Sequence, residues 1–188
     1  MKNYIDKYRV NLISALDLPD INKVPLLAML IKQAWQSGNK IYLCGNGGSA
    51  GNAIHIANDF IYGAGKSSGK GISVEALSAN PAVLTCLAND IGFDDIYSEQ
   101  IKVKGNADDL LIVFSGSGNS TNVIKALNVA NEIGMNTVAI LGFSGGECKK
   151  IAKLPLHFEV NDMQISEDLQ LIICHMCMQW LADQNIHN

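Results

Sequence analysis

The stretch KIYLCGNGGSAGNAIHIANDFIY, residues 40–62, decides the fold. A short apolar run is followed by a glycine-rich segment and then by a helix-like pattern, which is the order strand, loop, helix. The same order returns at LLIVFSGSGNSTNVIKALNVANEIG, residues 110–134, and the strand pattern NTVAILG follows it directly. Two such repeats predict an α/β fold that contains a βαβ unit.

The flanking sequence supplies the other layers of this fold. Apolar positions at helical spacing predict helices over 3–16 and 23–37, with Gly38 as the stop, and a long apolar helix from about 164 to 184. Strand patterns near ISVEAL and PLHFEV and a helix near PAVLTCLAND bring the sheet to about five strands. Most of these strands are apolar and bounded by helices, so we expect a parallel sheet buried on both faces.

The length and composition predict one domain and a cytoplasmic oligomer. A chain of 188 residues without a Pro- or Ser-rich linker fits a single domain over residues 1–188, with the helices of residues 1–38 packed on the core or on neighbouring subunits. Charged residues make up only 17%, which indicates that other subunits cover part of the surface. The start has no signal-peptide pattern, and no apolar run is long enough for a membrane span.

The charge distribution argues against two classes of partner. The net charge is −4 and no run of Lys or Arg occurs, so we expect neither nucleic acid nor an anionic membrane as a partner. Five cysteines, an odd number in mostly apolar segments, indicate reduced thiols. Cys174 and Cys177 form a C-x-x-C around His175, but without a preceding strand or a second pair we prefer buried small hydrophobic residues over a redox or zinc-thiolate role.

Both glycine-rich loops join the end of a strand to the start of a helix. Free backbone N–H groups and the helix dipole attract an anion at such a place, and phosphate is the expected guest. The second loop adds hydroxyl donors, so we predict the phosphate site at Ser115 to Thr121. Neither loop matches a common nucleotide-binding fingerprint. A single loop of this kind is often only a tight turn, but two adjacent loops at the carboxyl edge of a parallel sheet form one crevice.

Two pairs of polar residues lie at helical spacing. His55 and Asp59 are one turn apart, which suits two metal ligands or an acid/base pair as well as an ordinary capped histidine. Glu167 and His175 are about two turns apart. Glu167 also fits a solvated acid of a first helical turn, and His175 a buried histidine that has found a partner in the core.

A third polar group follows the apolar run VLTCLA. Asn89, Asp90 and Asp94 lie in a segment with Gly92, where side chains can bind sugar hydroxyls. An ordinary helix cap and turn explains the same residues equally well.

With CGNGGSAGNAIHIANDF, LANDIGFDD, VFSGSGNSTNVIKAL and the His175 helix in this order, the whole chain resembles the phosphoheptose isomerases of the sugar isomerase (SIS) domain superfamily. The resemblance implies a flavodoxin-like three-layer sandwich and a homotetramer with active sites at subunit interfaces. It implies an aldose–ketose isomerase that converts sedoheptulose 7-phosphate to D-glycero-D-manno-heptose 7-phosphate, the first step of nucleotide-activated heptose biosynthesis, which feeds lipopolysaccharide and other surface glycans.

The resemblance also implies the site residues. Asp59 and His175 are the expected catalytic pair, and one Zn²⁺ per subunit is expected at His55, Asp59, Glu167 and His175. The expected substrate contacts are Asn46, Gly47, Gly48, Ser49, Asn89, Asp90, Ser115, Gly116, Ser117, Ser120 and Glu167.

The chain departs from the family pattern at two of these positions. The family usually has Glu where this chain has Asp59, and Gln where it has Glu167. The shorter Asp59 can alter proton transfer, and the added charge of Glu167 suits a cation. Two alternatives to catalysis therefore stay open, a non-catalytic SIS protein that binds the replication initiator DnaA and a sugar-phosphate sensor.

Overall fold

The computed structural model describes residues 1–66 and 69–184. The eight helices within these ranges are α1 Lys2–Leu16, α2 Val24–Ser37, α3 Gly48–Asn58, α4 Pro81–Asp90, α5 Ser98–Lys104, α6 Thr121–Ile133, α7 Cys148–Ile151 and α8 Met163–Ala182. The strands are β1 Ile41–Gly45, β2 Val74–Ala76, β3 Leu110–Ser115, β4 Asn136–Leu141 and β5 Leu154–His157. Short 3₁₀ helices span Pro19–Lys23 and Phe93–Asp95, and a π-helical turn spans Asp59–Gly63.

The five strands form one parallel sheet, as the sequence predicts, and their order is β2-β1-β3-β4-β5. This is the flavodoxin-like order, in which β2 lies on one side of β1 and β3 lies on the other. Gly45 pairs with Phe114 where β1 and β3 end. The loops that follow these two strands therefore lie side by side at the carboxyl edge of the sheet.

Alternate side chains of the central strands enter two separate cores. Leu43 and Ile112 point into the core that α2, α3 and α8 complete, whereas Tyr42 and Leu111 point into the core that α5 and α6 complete. Every residue of β1 and β3 is buried, as a sheet covered on both faces requires. The structure is the predicted three-layer sandwich.

The boundaries differ from the sequence prediction in a few places. β2 has three residues, and β5 ends at His157, whereas the prediction extended it to Val160. Beyond the sheet, the Val160 carbonyl instead accepts a hydrogen bond from the N–H of Phe143, in the loop after β4. The helices α5 and α7 were not predicted, because segments of seven and four residues are too short for a clear periodic pattern.

Within residues 1–66 and 69–184, none of the helices combines the length and hydropathy that a bilayer span requires. The single-domain assignment of residues 1–188 stays a prediction. In the N-terminal part, α2 is integrated into the core, whereas α1 buries only Ala15. The Tyr8 hydroxyl on α1 donates a 2.5 Å hydrogen bond to Asp168 on α8.

Candidate active site

A polar cavity of about 280 Å³ lies in the crevice between the loops after β1 and β3. Helices α3 and α6 both begin at this crevice, at Gly48 and Thr121, so their first backbone N–H groups lie beside it. The cavity is lined by Asn46, Gly47, Gly48, Ser49, Phe114, Ser115, Gly116, Ser117, Ser120, Met163 and Glu167. Two helix N-termini and several hydroxyl groups suit an anion, although the lining contains no Lys or Arg.

The serine hydroxyls of the second loop organise the loop and still have protons to donate. The Ser115 Oγ accepts a hydrogen bond from the Gly118 N–H at 3.0 Å, and the Ser117 Oγ accepts one from the Asn119 N–H at 3.2 Å. A hydroxyl that accepts a hydrogen bond keeps its own O–H as a donor. Both serines can therefore donate to a phosphate oxygen in the cavity without releasing the loop.

The loop after β4 braces the second loop from outside. The Cys148 N–H donates to the Gly118 carbonyl at 3.0 Å, and the Glu147 N–H donates to the Asn119 side-chain oxygen at 3.1 Å. Gly118 has a φ of 67°, and a Cβ at this position would collide with the Gly145 carbonyl oxygen. Only glycine meets both requirements, so the shape of the cradle depends on Gly118.

Glu167 is the one charged residue of the cavity lining. Its carboxylate lies directly against Gly48, where any Cβ would overlap it. The first turn of α3 and the first turns of α8 therefore meet at the cavity, with the carboxylate near the positive end of α3. The sequence predicts Glu167 both as a substrate contact and as a metal ligand, and both roles stay predictions for this residue of the cavity lining.

His55, Asp59 and His175 form a cluster in which one ligand atom of each residue lies within 4.8 Å of the others. The Asp59 Oδ2 lies 3.4 Å from the His55 Nε2 and 3.2 Å from the His175 Nε2, and the two Nε2 atoms are 3.0 Å apart. Two imidazole nitrogens and a carboxylate oxygen that converge in this way are a donor set that fits Zn²⁺. Glu167 is outside this close group, so its role as a fourth ligand stays a prediction.

The cluster lies at the surface of the helical layer. The side chains of His55, Asp59 and His175 are 51%, 20% and 38% exposed. The alternative that His175 is a buried histidine of the core is therefore wrong, because its side chain leaves the apolar face of α8 and meets His55 and Asp59. Asp59 begins the π-helical turn, a local irregularity that is frequent at functional sites.

A buried polar network holds α3 and α8 together between the cavity and the cluster. Asn52 donates to the Glu167 carbonyl at 3.0 Å and to the Gln170 side-chain oxygen at 2.9 Å, and Gln170 donates to the Ser49 hydroxyl at 3.0 Å. Sequence reasoning missed Asn52 and Gln170. The signal was available for Gln170, because a glutamine within the apolar run of α8 is 1% exposed and must find partners inside the protein.

Asn89 and Asp90 lie outside the cavity lining. They are exposed at the C-terminal end of α4, where the Asn89 side chain donates to the Asp90 carboxylate at 2.8 Å. Their predicted role as substrate contacts stays a prediction.

The C-x-x-C pair lacks the thiolate character that redox or zinc chemistry needs. Cys174 and Cys177 are buried in the core, and burial raises the pKa of the Cys177 thiol to about 12 and that of Cys174 well above its usual value. All five cysteines are free, and Cys86 is the exposed one.

Comparison with known proteins identifies the family of this chain. The SIS domain family matches residues 3–142. A phosphoheptose isomerase of Helicobacter pylori (strain P12) is 35% identical over 147 residues, which are 78% of this chain and 76% of that protein. One of Clostridium acetobutylicum is 35% identical over 181 residues, 94% of this chain and 92% of its own length.

The fold agrees with a solved structure over almost its whole length. The structure of a phosphoheptose isomerase from Neisseria gonorrhoeae matches with a TM-score of 0.87 and 28% identity, and the match covers 96% of this chain and 97% of that one. The similarity therefore includes α1 and α8 as well as the central sheet.

Proposed function

Because the chain belongs to the phosphoheptose isomerases of the SIS domain family, we propose that it interconverts sedoheptulose 7-phosphate and D-glycero-D-manno-heptose 7-phosphate. It is an aldose–ketose isomerase. The observation that carries the proposal is that one chain combines a polar anion cavity with a separate cluster of two imidazoles and a carboxylate. A sugar-phosphate isomerase needs both, since one holds the phosphate and the other moves protons.

The cavity between the two glycine-rich loops binds the phosphate. The hydroxyls of Ser115, Ser117 and Ser120 and the first N–H groups of α3 and α6 are the donors, with Asn46, Gly47, Gly48 and Ser49 as the opposite wall. Glu167 accepts hydrogen bonds from the hydroxyl groups of the sugar, because its carboxylate is the one anionic group in an otherwise donor-rich lining. Binding the distant end of the substrate in this way positions its reacting carbons.

The cluster carries out the proton transfers. Glu167 and His175 are eight residues apart on α8, about 12 Å along the helix axis, a span that suits an extended seven-carbon chain. Asp59 removes the proton from C1 of the ketose, the C1–H electron pair forms the double bond of the enediol, and the O2 carbonyl oxygen takes a proton from His175. Asp59 then returns a proton to C2 while His175 accepts the proton of O1, which yields the aldose.

We assign one Zn²⁺ per subunit to His55, Asp59 and His175, whereas Glu167, which lines the phosphate cavity, is a fourth ligand only by the family resemblance. A zinc ion bound there would polarise the carbonyl group and stabilise negative charge on its oxygen. The support is the convergence of three donor atoms within 4.8 Å of one another. The scheme gives His55 no proton-transfer role, and its Nε2 lies 3.4 Å from the Asp59 carboxylate, which it can orient.

We propose a homotetramer with the active sites at subunit interfaces. Large apolar side chains are exposed on three helices that border the same core, including Ile5 on α1, Met29 on α2 and Trp180 on α8, and self-association would cover them. Asn89 and Asp90, exposed at the end of α4, complete the substrate contacts in the assembled site. The enzyme acts in the cytoplasm, in the first step of nucleotide-activated heptose biosynthesis for lipopolysaccharide or other surface glycans.

The test is an isomerase assay with purified, zinc-supplemented protein and sedoheptulose 7-phosphate, in which NMR follows the anomeric signals of the aldose. We expect turnover that a chelator abolishes and that added zinc restores. Binding of the sugar phosphate without any turnover would contradict the proposal and favour a sugar-phosphate sensor. Binding of DnaA, with neither turnover nor sugar-phosphate binding, would favour the replication regulator.

A further inference from the structure

The two loops of the crevice are joined by a pair of carboxamide side chains. The Asn46 Nδ2 donates to the Asn122 Oδ1 at 2.8 Å, and the Asn122 Nδ2 donates to the Asn46 Oδ1 at 2.9 Å. Asn46 follows β1 and lines the cavity, whereas Asn122 is the second residue of α6 and is 2% exposed. The pair therefore connects the wall of the cavity to a rigid helix on its other side.

The geometry leaves Asn46 available for a ligand but restricts its position. A carboxamide has two N–H donors and two acceptor lone pairs, and the reciprocal pair uses one of each on both residues. Asn122 is outside the cavity lining, so only Asn46 can present its second N–H to an anion there. Without Asn122, the Asn46 side chain would be free to rotate out of the cavity or to bond water.

The helix itself does not require an asparagine at position 122. The N-cap of α6 is Ser120, and asparagine has a lower helix propensity than alanine inside a helix. A buried polar side chain at this place is costly unless it is hydrogen-bonded, and Asn46 supplies both of its hydrogen bonds. The hydrogen bonds to Asn46 therefore explain the asparagine at position 122 better than helix formation does.

We propose that Asn122 is a positioning residue, which sets the affinity of the cavity for the substrate phosphate by holding the Asn46 carboxamide. The inference rests on the proposed function for the identity of the substrate. The anion-binding step it describes is also measurable without turnover. Asn122 lies behind Asn46 and does not touch the substrate, so its effect on KM passes through Asn46.

The experiment is a double-mutant cycle of Asn46→Ala and Asn122→Leu, measured by KM for sedoheptulose 7-phosphate and by the Kd of inorganic phosphate from calorimetry. Leucine keeps the branching of the asparagine side chain without its hydrogen-bonding groups and leaves no cavity, and thermal unfolding verifies that the variant is folded. We expect each single variant to raise KM and Kd about 10-fold, with kcat changed less than about 2-fold. The KM and Kd of the double variant should be no higher than those of the single variant with the higher values.

The matched control is Asn131→Ala on the same helix. Asn131 is also engaged through its carboxamide, which donates to the Ile151 carbonyl at 3.0 Å and accepts from the Thr137 hydroxyl at 2.8 Å, but it lies at the far end of α6. This variant should lower the melting temperature and leave KM and Kd unchanged. An equal change in Kd for Asn131→Ala would reduce Asn122 to a general structural role and overturn the inference.

The outcomes separate this inference from the proposed function. If the wild type does not isomerise the sugar phosphate but the phosphate Kd values are coupled in the cycle, the positioning role stands and the proposed function fails. If the wild type turns over and the effects of Asn46→Ala and Asn122→Leu multiply, the two residues act independently and the inference is overturned. Unchanged KM and Kd in Asn122→Leu, or no phosphate binding by the wild type, would overturn it too.

Discussion

The crevice between the two glycine-rich loops and the cluster of His55, Asp59 and His175 differ in how the chain holds their functional groups. The crevice consists of backbone N–H groups, glycines without a Cβ and hydroxyls that are bonded to their own loop. The cluster consists of three partly exposed side chains, two from α3 and the turn that follows it and one from α8. Replacing a side chain of the cluster should therefore lower kcat. Replacing a side chain of the crevice should weaken phosphate binding.

The difference reflects what each region does. A phosphate is bound throughout the reaction, so its donors can be fixed in a rigid frame that does not change between ground state and transition state. Proton transfer needs groups that change protonation during the reaction and reach particular atoms. The predictions below test this division of roles, in order of expected effect.

The largest effect is expected for Asp59→Asn. The amide cannot accept the substrate proton, so kcat should fall by about 10²- to 10⁴-fold, whereas the Kd of inorganic phosphate should be unchanged. Initial rates and calorimetry measure the two quantities. Asp183→Asn, which neutralises an exposed carboxylate just after the end of α8, is the matched control and should keep full activity. Equal losses in phosphate affinity and in kcat would contradict the division of roles.

The next effect is expected for Gly118→Ala, which changes the crevice through the backbone. The left-handed φ of 67° costs alanine about 1–2 kcal/mol, and the collision with the Gly145 carbonyl adds to this cost. We expect a lower melting temperature and at least a 10-fold rise in KM.

Gly51→Ala is the control for this change. Gly51 lies in α3, and a Cβ there would meet no atom within 4 Å, so the substitution should stabilise the protein by up to about 1 kcal/mol. Thermal unfolding compares the two variants. The account of the crevice would be wrong if Gly118→Ala bound phosphate as tightly as the wild type.

These glycines also indicate what the sequence can and cannot predict. The order strand, glycine-rich loop, helix occurs twice, and it predicts the parallel sheet and the neighbouring loops, because backbone topology follows from local pattern. The brace from Glu147 and Cys148 was not predicted, since it depends on how the chain after β4 turns back over Gly118. Such contacts between loops leave no periodic signal.

The cluster was predicted in part. The spacing of His55 and Asp59 places both on one face of α3, but only the family resemblance connected them to His175, which is 120 residues away from His55. The sequence suggested a buried His175 because its neighbours are apolar, yet helical rotation takes position 175 to the edge of the buried face. Glu167 illustrates the same limit, since spacing alone cannot distinguish the cavity from the cluster.

Ser117→Ala in the crevice should affect KM to a similar extent but without the loss of stability expected for Gly118→Ala. Loss of one charge-assisted hydrogen bond costs about 1.5–3 kcal/mol of phosphate binding, so KM should rise about 10- to 100-fold while kcat is retained. Ser98→Ala removes another serine hydroxyl, which donates to the Asp95 carbonyl at 3.2 Å outside the crevice, and should leave KM unchanged. A fall in kcat with constant KM for Ser117→Ala would assign Ser117 to the chemistry instead.

The smallest effect concerns Tyr97, whose buried hydroxyl donates to the Gly45 carbonyl beneath the first loop. Burial raises the pKa of Tyr97 and the neighbouring Cys44 raises it further, so the folded protein retains this proton where the unfolded chain has lost it. The contribution of the protonated Tyr97 to the free energy of unfolding is therefore present below about pH 10 and decreases as the pH rises above that value.

Urea unfolding at about pH 8 and about pH 10.5 tests this pH dependence. The free energy of unfolding of Tyr97→Phe should be about 1 kcal/mol lower than that of the wild type at the lower pH. It should also decrease less between the lower and the higher pH. Part of the loss of stability at high pH should remain in the variant, because burial also raises the pKa of Tyr42, to about 12. An identical pH dependence for wild type and variant would contradict the role of Tyr97.

Solvent deuterium exchange tests the central division between binding and chemistry most directly. Zinc-supplemented wild-type protein, Asp59→Asn and Ser117→Ala are each incubated in D₂O with saturating sedoheptulose 7-phosphate, and NMR follows deuterium at C1 of the ketose and C2 of the aldose. We predict exchange in the wild type and in Ser117→Ala, and none in Asp59→Asn although it still binds phosphate. Undiminished exchange in Asp59→Asn would contradict the account.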